Sequence, residues 1–221
     1  MAARHSIPLS VLDLSILNEG ATSADALADT TTLARRADEL GYRRFWVAEH
    51  HNMPSVACTS PPVLIAHLAA STRRMIIGSG GVMLPNHAPL VVAEQFAMLE
   101  ALHPGRIDLG IGRAPGTYQQ TALALRRDPE ALGAEDFPVH LLDLMALLGD
   151  RREVEWAGMP NRADFAARFR ATPVALSSPT IHLLGSSGYS AQLAGLLGLP
   201  FAFAHHFDMG GTLQAAELYL D

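Results

Sequence analysis

The sequence predicts an α/β fold built on a parallel sheet, and three observations carry that prediction. Candidate strands and helices alternate along the chain. The strand runs are apolar almost throughout instead of alternating apolar with polar, the pattern of a sheet covered on both faces. The first four strand–helix units recur at roughly 30–37 residues, about the length of one βα unit. Units repeated in this way make either a (β/α) barrel or a doubly wound open sheet. No G-x-G-x-x-G fingerprint follows the first strand, which counts against a dinucleotide-binding fold.

The elements follow in order. "IPLSVLDLS" (7–15) is an apolar strand run. The spacing of Leu27, Leu33, Ala34, Ala37 and Leu40 predicts a helix over 23–40, with Ser23 as N-cap and Gly41 as its stop. "YRRFWVAEH" (42–50) is the second strand. Pro61 and Pro62 open a helix over 60–72, because proline tolerates the first turn. A third strand (74–84) and helix (88–103) follow, then a fourth strand, "GRIDLGIGR" (105–113). An irregular insertion is expected at about 114–179, holding one short helix in "AEDFPVHLLDLMALLG". "TIHLLGSS" (180–187) and "LPFAFAHHF" (199–207) are strands five and six, with "YSAQLAGLLG" as the helix between them. A last helix starts near Gly211.

Bulk composition limits the function classes. The chain has 221 residues, 49% hydrophobic and 17% charged, with a formal net charge of −6. Such a chain buries a large core. It has no dense basic run, so nucleic acid is not an expected partner. The single cysteine, Cys58, rules out an internal disulfide and fits a reducing cytoplasm. The N-terminus shows no signal-peptide pattern, and no stretch reaches the ~18 apolar residues of a membrane span.

The polar residues gather at strand ends. Glu49, His50, His51 and Asn52 end strand two; Gly80, Gly81, Asn86 and His87 end or follow strand three. Arg113 ends strand four, Ser186 and Ser187 end strand five, and His205 and His206 end strand six. In a parallel barrel these ends share one face, and that face carries the active site. "GSSGYSAQLAG" (185–195) follows a strand and opens a helix, so its backbone N–H groups, Ser186, Ser187 and Ser190 suit an anion, with Arg113 as a fixed positive charge. The alternative is a plain N-cap with Gly188 in a turn. The glycines of "IIGSGGVML" mark either close approach by a flat ligand or close strand–strand packing. Adjacent strand residues point to opposite faces, so His50 and His51 do not share one metal, and no metal site is assigned.

These residues sit in motifs that identify a family resemblance. "GYRRFWVAEHHNMP", "IIGSGGVMLPNHAPLVVAEQF", "LHPGRIDLGIGRAPGT" and "LLGSSGYSAQLAGLLGLPFAFAHHF" resemble the bacterial luciferase-like flavin-dependent monooxygenases. The likeness covers nearly all of 7–207 outside about 130–179. It implies a TIM-type (β/α)8 barrel that binds reduced FMN. Oxygen then forms a C4a-peroxyflavin that oxidises a small organic substrate, and a separate NAD(P)H-dependent flavin reductase supplies the flavin. Carried over by position, Arg113, Ser187 and Ser190 hold the FMN phosphate, with Ser186 adjacent. Gly80–Gly81 matches a non-proline cis peptide beneath the flavin ring, and His50 matches an active-site histidine. His51 is then a structural neighbour that packs or hydrogen-bonds beside Glu49. "EHH" favours FMN over the deazaflavin F420, which stays as the alternative cofactor. A homodimer is expected.

The chain departs from that family in length. Six strands of eight can be counted, whereas an ordinary barrel takes ~250 residues. A single domain over 1–221 is therefore expected to be an incomplete barrel, lacking its terminal strands and leaving open edges on strands one and six. A flavin-binding but catalytically inactive protein is accordingly the alternative function. A metal-dependent barrel hydrolase rests on the histidine count alone.

Overall fold

A computed structural model describes residues 7–114, 119–126, 136–150, 162–208 and 210–220. Six strands form one parallel sheet in sequence order: β1 (Ser10–Asp13), β2 (Arg44–Val47), β3 (Ile76–Met83), β4 (Ile107–Gly112), β5 (Thr180–Gly185) and β6 (Phe201–Phe203). Sequential parallel pairing with a helix between each strand and the next is the wall of a (β/α) barrel, here a curled sheet of six strands, as the apolar runs predict. Among the described residues β1 pairs only with β2, and β6 only with β5.

The helices are α1 (Ser23–Leu40), α2 (Pro61–Ser71), α3 (Pro89–Leu102), α4 (Gln119–Arg126), α5 (Phe137–Leu147), α6 (Ala163–Arg168), α7 (Gly188–Leu196) and α8 (Thr212–Leu220). α1 spans the predicted range, but its N-cap is Thr22, not Ser23. Thr22 is extended (φ −94°, ψ 166°); its Oγ1 accepts from Asp25 N–H, and Asp25 Oδ2 accepts from Thr22 N–H at 2.8 Å. This reciprocal pair is a capping box, with Asp25 in place of the usual Glu or Gln. Gly41 ends the helix at φ 82°, a left-handed conformation glycine adopts without Cβ strain. The insertion is more helical than expected: α4 and α6 join α5 within it. Both helices are short (8 and 6 residues), so each offers few periodic positions to a sequence reading.

Each strand turns one side to the helices and the other to the inside of the curl. Phe45, Val47, Ile77, Leu109, Ile111 and Leu183 pack against α2, α3 and α5 through Ile65, Leu68, Phe96, Leu141 and Leu144, all 0–1% exposed. Burying each such side chain stabilises the fold by about 1.5–3 kcal/mol. The inner side is mixed. Asp108 accepts hydrogen bonds there from Arg44 Nε (2.7 Å) and Trp46 Nε1 (3.0 Å), and His182 meets the Trp46 ring edge-on. Among the described residues no helix is long and apolar enough to cross a membrane.

Candidate functional site

At the C-terminal end of the sheet the chain leaves β2 and enters a loop whose anchor is Glu49. Glu49 is 1% exposed, yet its carboxylate faces four donors from two loops. His51 Nε2 (2.8 Å), His87 Nε2 (2.9 Å) and Asn86 Nδ2 (3.2 Å) reach Oε1; Met83 N–H (3.0 Å) reaches Oε2. Burial alone would raise the carboxyl's pKa. Hydrogen bonds and charge from His87, with Met83 N–H and His51, outweigh burial and hold it below the usual range, so Glu49 is ionised. Glu49, His51 and His87 also bring three metal-type ligand atoms within 4.8 Å of one another. Three donors converging on a single oxygen is, however, the arrangement of a hydrogen-bonded carboxylate.

His50 lies between Glu49 and His51. The prediction that the two histidines take opposite faces of a strand does not apply as made, because β2 ends at Val47 and Asn52 turns the loop at φ 53°. His50 N–H donates to Cys58 C=O (3.2 Å), and among the described residues its buried Nδ1 has no hydrogen-bond partner. Burial lowers the imidazole's pKa, Glu49 opposes that, and His51 adds to it, so the ring is neutral near pH 7. Nearby Cys58 is pushed up to about 12 by burial, with Asp13 and Glu49 adding to the shift. Its thiol stays protonated and is no nucleophile.

The Gly80–Gly81 peptide is cis. The strand contacts account for the glycines. A Cβ on Gly78 would lie 2.5 Å from Asp108 O, and one on Gly81 2.9 Å from Gly110 O. Close packing of β3 on β4 therefore explains both without a ligand. Gly80 instead turns to the inner side, where a Cβ would meet Leu12 Cδ1 at 2.8 Å. The register between β3 and β4 shifts between Gly80 and Val82.

Arg113, just past β4, stacks its guanidinium 4.4 Å above the Tyr189 ring in the first turn of α7. Among the described residues no carboxylate pairs with it. This brings together the predicted positive charge and the predicted helix N-terminus. Ser187 is the N-cap of α7, but its side chain makes no capping hydrogen bond. Ser186 is half-buried, and Ser190 is 4% exposed with its Oγ packed against Gly185. The Ser190 hydroxyl is thus the most enclosed of the three. His205, outside this grouping, bonds Thr212 Oγ1 through Nδ1 (2.6 Å).

Contacts link the predicted residues into one rim. Glu49 ties the His50 loop to Met83 and His87 at the end of β3; β3 carries Gly80 and Gly81 beside β4; β4 leads to Arg113, which rests on α7. Sequence reasoning missed Tyr189; it placed Glu49, Asn86 and His87 at the strand ends but, beyond Glu49 as a neighbour of His51, gave them no role. The signal for Glu49 was a carboxylate directly after the apolar run "FWVA"; for Tyr189 it was one aromatic among the small residues of "GSSGYS".

A fixed cation beside a helix N-terminus, with an N-cap hydroxyl not used for capping, suits a phosphate group. The family model "luciferase-like monooxygenase" matches residues 10–219. A luciferase-like monooxygenase of Escherichia coli (strain K12) is 47% identical over 97% of this chain and 60% of its own length. An N-acetyl-S-alkylcysteine monooxygenase of Bacillus subtilis (strain 168) is 45% identical over 91% of this chain and 58% of its own. The crystal structure of apo-MsnO8 superposes with a TM-score of 0.83 at 41% identity, over 97% of this chain and 60% of that one. The oxygenating constituent of 3,6-diketocamphane monooxygenase from Pseudomonas putida, solved with FMN, shares the fold at TM-score 0.71 and 20% identity, over 96% of this chain and 63% of that one. The chain spans about three fifths of the length of these proteins.

Proposed function

Because this chain belongs to the luciferase-like monooxygenase family, we propose that it carries the flavin site of a monooxygenase that oxidises a small organic substrate with molecular oxygen. The cofactor in this reading is reduced FMN, delivered by a separate flavin reductase. The observation that carries the reading is Arg113 stacked on Tyr189 at the N-terminus of α7. Stacking holds the guanidinium in place, and its charge adds to the helix dipole to favour a dianionic phosphate. Ser186 and Ser187 add hydroxyl donors there.

The bound flavin supplies the electrons that activate oxygen. The chain's own residues bind, orient and move protons. Gly80 leaves a half-buried stretch of bare backbone on the inner side. His50 offers a neutral imidazole whose Nδ1 has no partner among the described residues, able to take or return a proton at the reacting centre. The relative named for N-acetyl-S-alkylcysteine makes S-alkyl thioethers the first substrates to try.

The test compares FMN with riboflavin, which lacks the phosphate. Arg113→Ala is expected to weaken FMN binding roughly 10- to 100-fold, the worth of a charge-assisted contact, and to leave riboflavin binding unchanged. Equal losses for both ligands, read by fluorescence quenching, defeat the phosphate assignment. Oxygen uptake with photoreduced FMN that does not respond to any thioether defeats the oxidation of this substrate class.

A further inference from the structure

The geometry points to Glu49 as a positioning residue of this site. Its carboxylate fixes His51 and His87 as Nε2–H donors, and through them it locks the loop carrying His50 onto the loop that follows Gly80–Gly81. The role in flavin binding rests on the function proposed above; the clamp itself does not.

A carboxylate is required for a reason of hydrogen-bond inventory. An ionised carboxylate only accepts, so every group facing it must donate. Met83 N–H and Asn86 Nδ2 are donors by nature. His51 and His87 can present either a donor or an acceptor at Nε2, and with 2.8 and 2.9 Å separations from Oε1 both must carry the proton there. Glu49 therefore selects the tautomer of two imidazoles at once. With Glu49 1% exposed, water cannot replace a lost partner cheaply.

The clamp acts on His50 by where it sits. Glu49 and His51, the residues on either side of His50, are both held by it. The other end of the clamp is Met83, the last residue of β3, together with Asn86 and His87 beyond it. His50 N–H is itself fixed on Cys58 C=O. The two loops are thus joined beside a buried imidazole nitrogen that has no partner among the described residues. Glutamine at position 49 has nearly the same shape, but its amide N–H₂ would face at least one donor.

The experiment reads the histidine ring nitrogens by long-range ¹H–¹⁵N NMR in the flavin-free chain, with FMN affinity measured alongside. In the wild type, His51 and His87 should both show protonated Nε2. In Glu49→Gln at least one ring should change tautomer, and FMN should bind about tenfold more weakly, as expected for one unsatisfied buried donor. Protonated Nδ1 with bare Nε2 in the wild-type rings overturns the clamp, and this reading needs no variant to fold. Unchanged FMN affinity in a folded Glu49→Gln chain overturns the positioning role. Zn²⁺ shifting both rings in the wild type but not in the variant overturns the proposal in favour of a metal centre. Wild-type rings in the Nε2–H form without FMN binding leave the clamp standing and defeat the flavin reading instead.

Discussion

Buried carboxylates brace both ends of the sheet, but with different partners. At the N-terminal end Asp38 takes the backbone N–H groups of Arg73 (2.9 Å), Arg74 (3.1 Å) and Met75 (2.7 Å), joining the end of α1 to the start of β3. Asp108 takes Arg44 and Trp46. Peptide, indole and guanidinium donors keep their protons at any ordinary pH. At the C-terminal end Glu49 is braced largely by imidazoles, and one further buried imidazole nitrogen, His50 Nδ1, has no partner among the described residues. The carboxylates of the first end are thus held by peptide, indole and guanidinium donors, that of the second largely by imidazoles. That division matches a barrel in which one end secures the fold and the other performs chemistry.

Substitutions that separate the two ends sharpen this contrast. His50→Ala is expected to have the largest effect, lowering turnover roughly 10²- to 10⁴-fold, the usual contribution of a positioned acid or base. Its unfolding free energy should stay within about 1 kcal/mol of wild type, since no side-chain hydrogen bond at Nδ1 is lost. Steady-state oxidation and urea denaturation measure the two quantities. A folded His50→Ala chain with full turnover removes His50 from the chemistry. Asp38→Ala should do the reverse. It removes the acceptor of three N–H groups, of which Met75's is buried while Arg73 and Arg74 are exposed residues, and should cost about 2 kcal/mol of stability while leaving FMN affinity unaltered. A loss of FMN binding in that variant, measured while it is still folded, breaks the division between the ends.

The parts of the fold that were legible are those with long, regular patterns. α1 has eighteen residues of helical periodicity ending in Gly41, and its range was read correctly. Its cap was misplaced by one residue because Thr22 and Ser23 are both good caps, and only the Asp25 contact distinguishes them. The strands were read two to six residues too long, since the apolar runs extend past the ladder at one or both ends, as Ala48 does after Val47. For the site, the strand-end rule gathered His50, Gly80, Gly81 and Arg113 onto one rim. It could not reveal which partners those residues face. His51 was expected to pack or hydrogen-bond beside Glu49, and its Nε2 lies 2.8 Å from Oε1. That His87, thirty-eight residues later, meets the same oxygen depends on the register of β2 with β3, which composition does not encode.

The smallest effect is in the pH dependence of stability, and it divides the two ends most finely. Burial lowers the pKa of three imidazoles in the folded chain: His50 at the C-terminal end, His182 on the inner side of the sheet, and His103 after α3, where Arg106 adds to the shift. For His182, Asp108 and the Thr180 carbonyl oppose burial without overcoming it. A depressed histidine means that the unfolded chain binds the proton first. Stability from these rings is therefore full above the unfolded value of about 6.5 and declines as pH falls from there toward the folded values. The carboxylates produce a second, lower step. Glu49 and Asp38 are held below their ordinary values by their donors, so their contribution is present above about 4.5 and lost as pH falls through the folded pKa values. Thermal melting from pH 8 to 3 should show both steps. His50→Ala removes one proton's worth from the upper step, at most about 1.4 kcal/mol per pH unit, and leaves the lower step in place. Asp38→Ala shrinks the lower step and leaves the upper one. If His50→Ala leaves the upper slope unchanged, His50 is not held neutral by burial, and its role as a ready proton acceptor at neutral pH loses its physical basis.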